Sequence, residues 1–267
     1  MQCSTPPLNK QAFSLVELSI VLVILGLLTG GILAGKSLIR AAELRSVITD
    51  VNRYKTAFFS FRDKYFAIPG DMGNATSFWG AIDNADGAGS DCFTVASTGG
   101  KTCNGNADGR IGAPAGGTGT WVQGELWHAW IQLADAGMVE GSYTGLAGST
   151  AASHAIPGTN VPASRINNAG YQYAWQNGWI ETGTPSVADH NTLFFGKPRT
   201  DDGGVTYGGT YTYALLGEEA WNIDTKMDDG VRNTGKIIGS NGGVAPWCGY
   251  TGSSSSVAGC GLVALID

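Results

Sequence analysis

Charge is what this chain has least of. Asp, Glu, Lys and Arg make up 14% of its 267 residues, 22 acidic against 16 basic, for a formal net charge of −6. No basic cluster interrupts that acidic balance, which argues against nucleic acid as a partner. Histidine is nearly absent: His128, His154 and His190 stand singly, so neither a histidine metal triad nor a Ser-His-Asp set can be read. There is no GxSxG elbow, no HExxH and no GxxxxGK[ST]; the glycine runs near Gly116 and Gly203 lack the lysine and helix that a phosphate site needs. No enzyme is expected. Scarce charge does not mean disorder here, because 8 Trp, 9 Tyr and 9 Phe accompany 41 Gly. Disordered chains are poor in aromatics and rich in charge. The composition reads as a loop-rich, β-containing exported domain.

What is present in quantity is one apolar run. From Phe13 to Ala34 every residue is apolar or small and uncharged except Glu17. A helix of that length, at ~1.5 Å per residue, is about 33 Å long and can cross a bilayer core. An ionised carboxylate inside such a helix costs about 2.5–3.5 kcal/mol on insertion scales, so Glu17 calls for a functional partner. The run is too long for an ordinary secretory signal, and its best small-x-small site, Thr29-Gly30-Gly31, sits inside it. The segment before it, residues 1–12, is polar with Lys10 as its one basic side chain.

The junction Lys10-Gln11-Ala12-Phe13-Ser14-Leu15-Val16-Glu17-Leu18 resembles that of type IV prepilins and type II secretion pseudopilins. The likeness lies in the arrangement: a polar leader, Phe at the first mature position, Glu at the fifth, then an uninterrupted apolar helix. It implies that a prepilin peptidase cuts between Ala12 and Phe13 and methylates the new amino terminus. One position departs from the pattern, since the residue before the cut is usually Gly and is Ala12 here; a small residue is kept, and cleavage is expected. The resemblance also implies an assembly role for Glu17, whose charge would pair with the amino terminus of a neighbouring subunit. Such pairing offsets the desolvation that either charge suffers alone.

Of five cysteines, Cys3 lies in the leader. The rest form two close couples, Cys92 with Cys103 and Cys248 with Cys260, each closing a short glycine-rich loop. Proximity favours these pairs among three possible connectivities, and a loop of about 11 residues gains about 2.5–3 kcal/mol in the chain-entropy model. Neither couple has CxxC spacing, so zinc is not expected, and the implied compartment is oxidising.

After Lys36 and Arg40, Leu44, Val47, Ile48, Val51, Tyr54, Phe58, Phe61 and Tyr65 recur at three- and four-residue steps. The helix is therefore expected to continue as an amphipathic half of about 30 residues. Gly30 and Gly31 lie where it could bend; Ile68-Pro69-Gly70-Asp71 ends it. A short helix from Asn74 to Ile82, capped by Asn74 with Phe78 and Trp79 inward, and a longer one from Thr120 to Val139 with Trp121, Trp127 and Trp130 on its apolar face, are expected. Gly137 would terminate the longer helix. His128, among tryptophans, reads as packed or surface-exposed. Strands are expected at Tyr171–Trp175, Trp179–Thr182, Thr192–Phe195, Val205–Leu216, Lys236–Gly239 and Leu262–Ile266, with a helix from Glu218 to Met227.

Two stretches carry oxygen ligands. Asn104-Gly-Asn106-Ala-Asp108-Gly109-Arg110-Ile111 offers side-chain oxygens at positions 1, 3 and 5 and the turn Gly at 6 of a calcium loop. Position 12 falls on Ala115, so the alternative is a loop of Asx turns that hydrogen-bonds itself. Asp224-Thr-Lys-Met-Asp228-Asp229-Gly230 resembles an acidic turn that recurs in pseudopilin-like proteins. Three carboxylates so close repel one another unless solvated or bound to a cation, and calcium and a solvated helix end both stay open.

The expected fold is α+β and pilin-like: a long N-terminal helix, half membrane-spanning and half amphipathic, on a small antiparallel sheet with loop-rich, disulfide-pinned insertions. Its expected parts are a leader (1–12), a transmembrane and assembly helix (13–35), an amphipathic continuation (36–68) and a globular domain (69–267). The expected function is that of a structural subunit of a type IV-like pilus or type II secretion pseudopilus. Its partners would be copies of itself and other pilins or pseudopilins, the prepilin peptidase and an inner-membrane assembly platform. It would sit as a single pass in the inner membrane and then in a periplasmic or extracellular filament. The rivals are a minor pilin or a surface-displayed binding module, such as a glycan-binding adhesin, and, more distantly, a membrane-anchored hydrolase.

Overall fold

The computed structural model of the chain describes residues 14–82, 97, 99–112, 123–147, 155–176, 189–198, 212–240, 248 and 258–266. It divides into two compact units, Met1–Glu43 and Leu44–Asp267. One helix, α1 (Leu15–Tyr65), is continuous through both stretches of sequence. It runs unbroken through Gly30 and Gly31, where a bend had been allowed for; nothing stands within 4 Å of either glycine's missing Cβ.

In the first unit the apolar residues of α1 are exposed, from Leu15 at 85% to Leu33 at 69%. Among the described residues this is the one helix long and apolar enough to cross a membrane. Arg40 and Glu43 form an i,i+3 ion pair at 2.9 Å near its end.

In the second unit α1 is amphipathic as its periodicity demands. Val47, Val51, Tyr54, Ala57, Phe58 and Phe61 are buried, while Arg45, Arg53, Arg62 and Asp63 stay in solvent. The buried stripe meets α3 (Gln123–Asp135) and the sheet through aromatic contacts. Tyr54 packs edge-on against Trp130 and Tyr171 with 5.0 Å between ring centroids, and Trp130 stacks on Tyr173 at 4.5 Å. The tyrosine hydroxyls find partners, Tyr173 Oη donating to the Tyr54 carbonyl (2.8 Å) and Tyr171 Oη to Asp50 (3.1 Å), while the buried Trp130 Nε1 makes no hydrogen bond among the described residues. α3 ends at Asp135, four residues before the expected Val139, with the expected terminator in place. Gly137 takes a positive φ, and the Gly137 and Met138 amides bond back to the Ala134 and Leu133 carbonyls.

The sheet is antiparallel. β1 (Gly170–Gln176) pairs with β2 (His190–Gly196), β2 with β5 (Ala258–Leu265), and β5 with both β3 (Leu215–Leu216) and β4 (Ile237–Ser240). Alternation sorts the side chains. Leu193, Phe195, Leu262, Ala264 and Ile237 join the main core with α1 and α3, and Phe194, Val263 and Ile238 form a second cluster. The fold is α+β: a long N-terminal helix on a small antiparallel sheet, with Cys248 and Cys260 joined by a disulfide. Cys103 is also disulfide-bonded; Cys92 lies outside the described residues.

Two expected elements are corrected. The strand expected over Val205–Leu216 is, among the described residues, only the two-residue β3 (Leu215–Leu216), preceded by an isolated bridge at Thr212. The helix after Pro69 is a single turn, α2 (Thr76–Trp79), flanked by Ala75 without a side-chain cap. Asn104 Oδ1, not Asn74, accepts its first free amide, that of Thr76, at 2.8 Å. A single turn cannot present an inward face, so Phe78 is 55% exposed and Trp79 only half-buried. The expected strand at Trp179–Thr182, Trp121, His154, Tyr207 and Tyr211 lie outside the described residues.

Candidate functional site

At the start of α1, Glu17 is the one charge on an exposed apolar surface. Its Oε2 accepts the Ser14 amide at 2.9 Å, and Ser14 Oγ accepts the Val16 amide at 3.3 Å. Ser19 and Thr29 donate their hydroxyls to carbonyls of the preceding turn, so their polarity is consumed within the helix. Ala12 and Phe13 lie outside the described residues.

The Asn104–Ile111 loop is folded around carboxylates that sequence reading missed. Asp71, just past α1, and Glu125, on the first turn of α3, are 4% and 2% exposed. Asp71 accepts the Asp108 and Gly109 amides (3.1 and 2.8 Å), and Glu125 accepts those of Asn106 and Gly112 (2.9 and 2.8 Å). The loop's own oxygens also face amides: Asn106 Oδ1 accepts Asp108 N at 3.0 Å and Asp108 Oδ1 accepts Arg110 N at 2.9 Å. These are Asx turns. Ile111, fully buried, fixes the loop to the core, and its carbonyl accepts the Trp175 amide. Burial pushes Glu125 up to about 8 and Asp71 up to about 6, against the pull of the amides they accept. Nothing local in the sequence marks these two acids; only the topology brings them to the loop. His128 is buried beside it, Nδ1 3.2 Å from Thr102 Oγ1, the packed alternative of the two expected.

The acidic turn at the end of α4 (Gly217–Met227) does bring its three carboxylates together. One oxygen each from Asp224, Asp228 and Asp229 lies within 4.8 Å of the others, with Asp224 buried and Asp229 exposed. The same groups staple the turn that follows. Asp224 accepts Gly230 N (3.2 Å), Asp229 accepts Val231 N and the Thr234 hydroxyl (2.8 and 2.6 Å), and Asp228 accepts Lys236 N and Ile237 N. The Thr234 hydroxyl and the Val231 amide hold the exposed Asp229 carboxyl below its ordinary range. Lysines lie close: burial and the charge of Lys236 lower Lys55 on α1, while Asp228 raises it. An all-oxygen carboxylate set suits a hard cation such as calcium, so the donor chemistry fits.

Residues 7–33 match the prokaryotic N-terminal methylation motif. This is the prepilin-type cleavage and methylation segment, and it spans Ala12, Phe13 and Glu17. No curated protein and no solved structure matches the chain. The methylation motif and the exposed apolar half of α1 together fit a membrane-anchored pilin-like precursor that assembles with other pilin subunits. They point to a structural subunit rather than an enzyme.

Proposed function

We propose that the chain is a structural subunit of a type IV-like pilus or a type II secretion pseudopilus. The observation that carries this is the methylation motif continuing into a helix whose first 25 or so residues bury nothing within their own subunit. A prepilin peptidase on the cytoplasmic side of the inner membrane removes residues 1–12 and methylates Phe13. The assembly platform then draws the subunit from the membrane into a fibre. Burial of the apolar half-helices against one another drives growth, and Glu17 sets axial register by pairing with a neighbour's amino terminus. The test is the intact mass and N-terminal peptide of the chain co-expressed with a prepilin peptidase. N-methylated Phe13 at the start supports the reading; a chain that retains Met1, or is cut beyond Gly31, overturns it.

Asp224, Asp228 and Asp229 would hold a calcium ion in this subunit, where it would supply no chemistry and would tie the end of α4 to the turn before β4. A second reading has its own observation. Phe66 is 93% exposed with φ of 53°, and Phe78 beside α2 is 55% exposed. A strained, exposed phenylalanine marks a contact surface, as a minor pilin or surface-displayed glycan-binding module would need. Glycan-array binding that disappears in a Phe66→Ala/Phe78→Ala chain would favour that module.

A further inference from the structure

The far end of α1 carries a residue that is costly where it stands. Phe66 follows the helix with φ of 53°, in the left-handed region, and its amide closes on the Arg62 carbonyl at 2.8 Å. A helix ordinarily ends on glycine at that position, because a Cβ there crowds the backbone. Burying the ring would offset the strain, yet Phe66 is 93% exposed. The subunit gains neither burial nor an easy turn from this side chain, so its use lies in a contact outside. Other rings surround it in sequence and on α2. Tyr65 lies 5.4 Å from Phe78 and 5.3 Å from Trp79 between ring centroids, with Phe78 55% exposed and the other two half-buried. Lys64 Nζ stands 5.0 Å from the Tyr65 ring centroid and the Arg62 guanidinium 4.8 Å from that of Phe59. Both cations are exposed, against Asp63 as the acid of the same turn. The rim is therefore basic on a chain whose net charge is −6.

We propose that this surface binds a carboxylate-bearing polysaccharide, with Phe66 stacking on a sugar ring and Arg62 and Lys64 taking the uronate groups. The proposal rests on the surface-displayed reading above and narrows its ligand to polyuronates. The charge pattern selects the occupant. Open rings beside fixed cations match a ligand that is apolar on one face and anionic at its edge. A uronate sugar offers both, since its C–H face stacks on an aromatic ring and its carboxylate fits the guanidinium fork. Asn74 and Ser77, exposed alongside α2, are within the same surface segment to meet its hydroxyls. A neutral sugar or an apolar protein segment would use the rings and leave the cations idle.

Binding of the full chain in detergent micelles to immobilised polygalacturonate, dextran and dextran sulfate is the test. Polygalacturonate should bind about ten-fold tighter than either of the others at low salt, and its advantage over dextran should shrink as salt rises. Phe66→Gly should weaken that binding about ten-fold. Its melting temperature should nonetheless hold or rise by about 2–4 °C, because glycine takes the left-handed turn freely. A merely structural phenylalanine would not give that split. Arg62→Gln/Lys64→Gln should bring polygalacturonate down to the dextran level. Unchanged polygalacturonate binding in Phe66→Gly overturns the proposal, and so does dextran sulfate bound equally well, which marks charge alone. Polygalacturonate bound no better than dextran overturns the uronate ligand and leaves a glycan-binding module standing. No binding to any of the three overturns the proposal, and an empty glycan array besides removes the module reading with it. Self-association that Phe66→Gly abolishes, without polymer binding, assigns the surface to a second copy and overturns the proposal.

Discussion

Asp71, Glu125 and Asp135 are acids placed where water is scarce, and their protonation ties stability to pH. Burial raises Glu125 from an ordinary 4.5 to about 8, and Asp71 and Asp135 from 3.8 to about 6. Between those values the folded chain binds protons that the unfolded chain has released, so stability falls as pH rises. It is fullest below about pH 4 and lost stepwise up to pH 8, at no more than ~1.4 kcal/mol per pH unit for each group. Urea midpoints measured at pH 5, 6 and 8 should therefore decrease. Most of the part between 6 and 8 belongs to Glu125 and should shrink strongly in Glu125→Gln, leaving the tail of the Asp71 and Asp135 titrations; a flat or rising wild-type profile would show the acids to be ordinarily solvated. The loop these acids hold also sets a steric test. A Cβ at Gly105 would lie 2.3 Å from the Asp71 Cα, whereas one at Gly109 would meet nothing within 4 Å, though φ there is +83°. Gly105→Ala should cost upwards of ~3 kcal/mol because backbone must move. Gly109→Ala should cost about 1 kcal/mol, for the left-handed backbone alone. Thermal melts of the two chains would compare them directly.

At the scale of elements, what the sequence announced was whatever depends on local periodicity. The three- and four-residue spacing of Val47, Val51, Tyr54, Phe58 and Phe61 gave the amphipathic half of α1 its buried face, while the helix stops at Tyr65, three residues short of the expected Ile68, where Phe66 turns to a φ of 53°. β1, β2 and α4 lie within two residues of their expected bounds. β5 was read short, from Leu262, because Ala258-Gly-Cys-Gly carries no strand signal of its own. It is extended there by pairing with β3 and by the buried Cys260 disulfide. Asp71 and Glu125 were illegible for the same reason, since their role depends on contacts far apart in sequence. The acidic turn was legible because its three ligands are local. Calcium at millimolar concentration should raise the melting temperature of the wild-type chain relative to EGTA. The shift should be absent in Asp224→Asn, which loses the buried member of the set. If calcium leaves the wild-type melt unchanged, Lys55 and Lys236 suffice to balance these acids.

Over the whole molecule the apolar and the folded parts occupy different stretches of one helix. Every buried residue of α1 lies at Val47 or beyond, and the core draws its other members from α3, α4, the sheet and the loops between them. Residues such as Leu25, Leu33 and Leu38 are 51%, 69% and 72% exposed. They contribute nothing to that core, and in water their exposure promotes association. A chain beginning at Lys36 should therefore be soluble without detergent and melt cooperatively. Its midpoint should lie within ~2 °C of the full chain's, as expected when only surface is removed. Oxidising conditions are part of the expectation, because Cys248–Cys260 and the bond at Cys103 restrain the unfolded chain. The same truncated chain should form no filaments alone and should not enter those of the full chain, since it lacks both the methylation motif and Glu17. Sedimentation of mixed samples would show this. A truncated chain that aggregates, or loses its cooperative transition, would mean that the apolar half of α1 supports the fold as well as assembly.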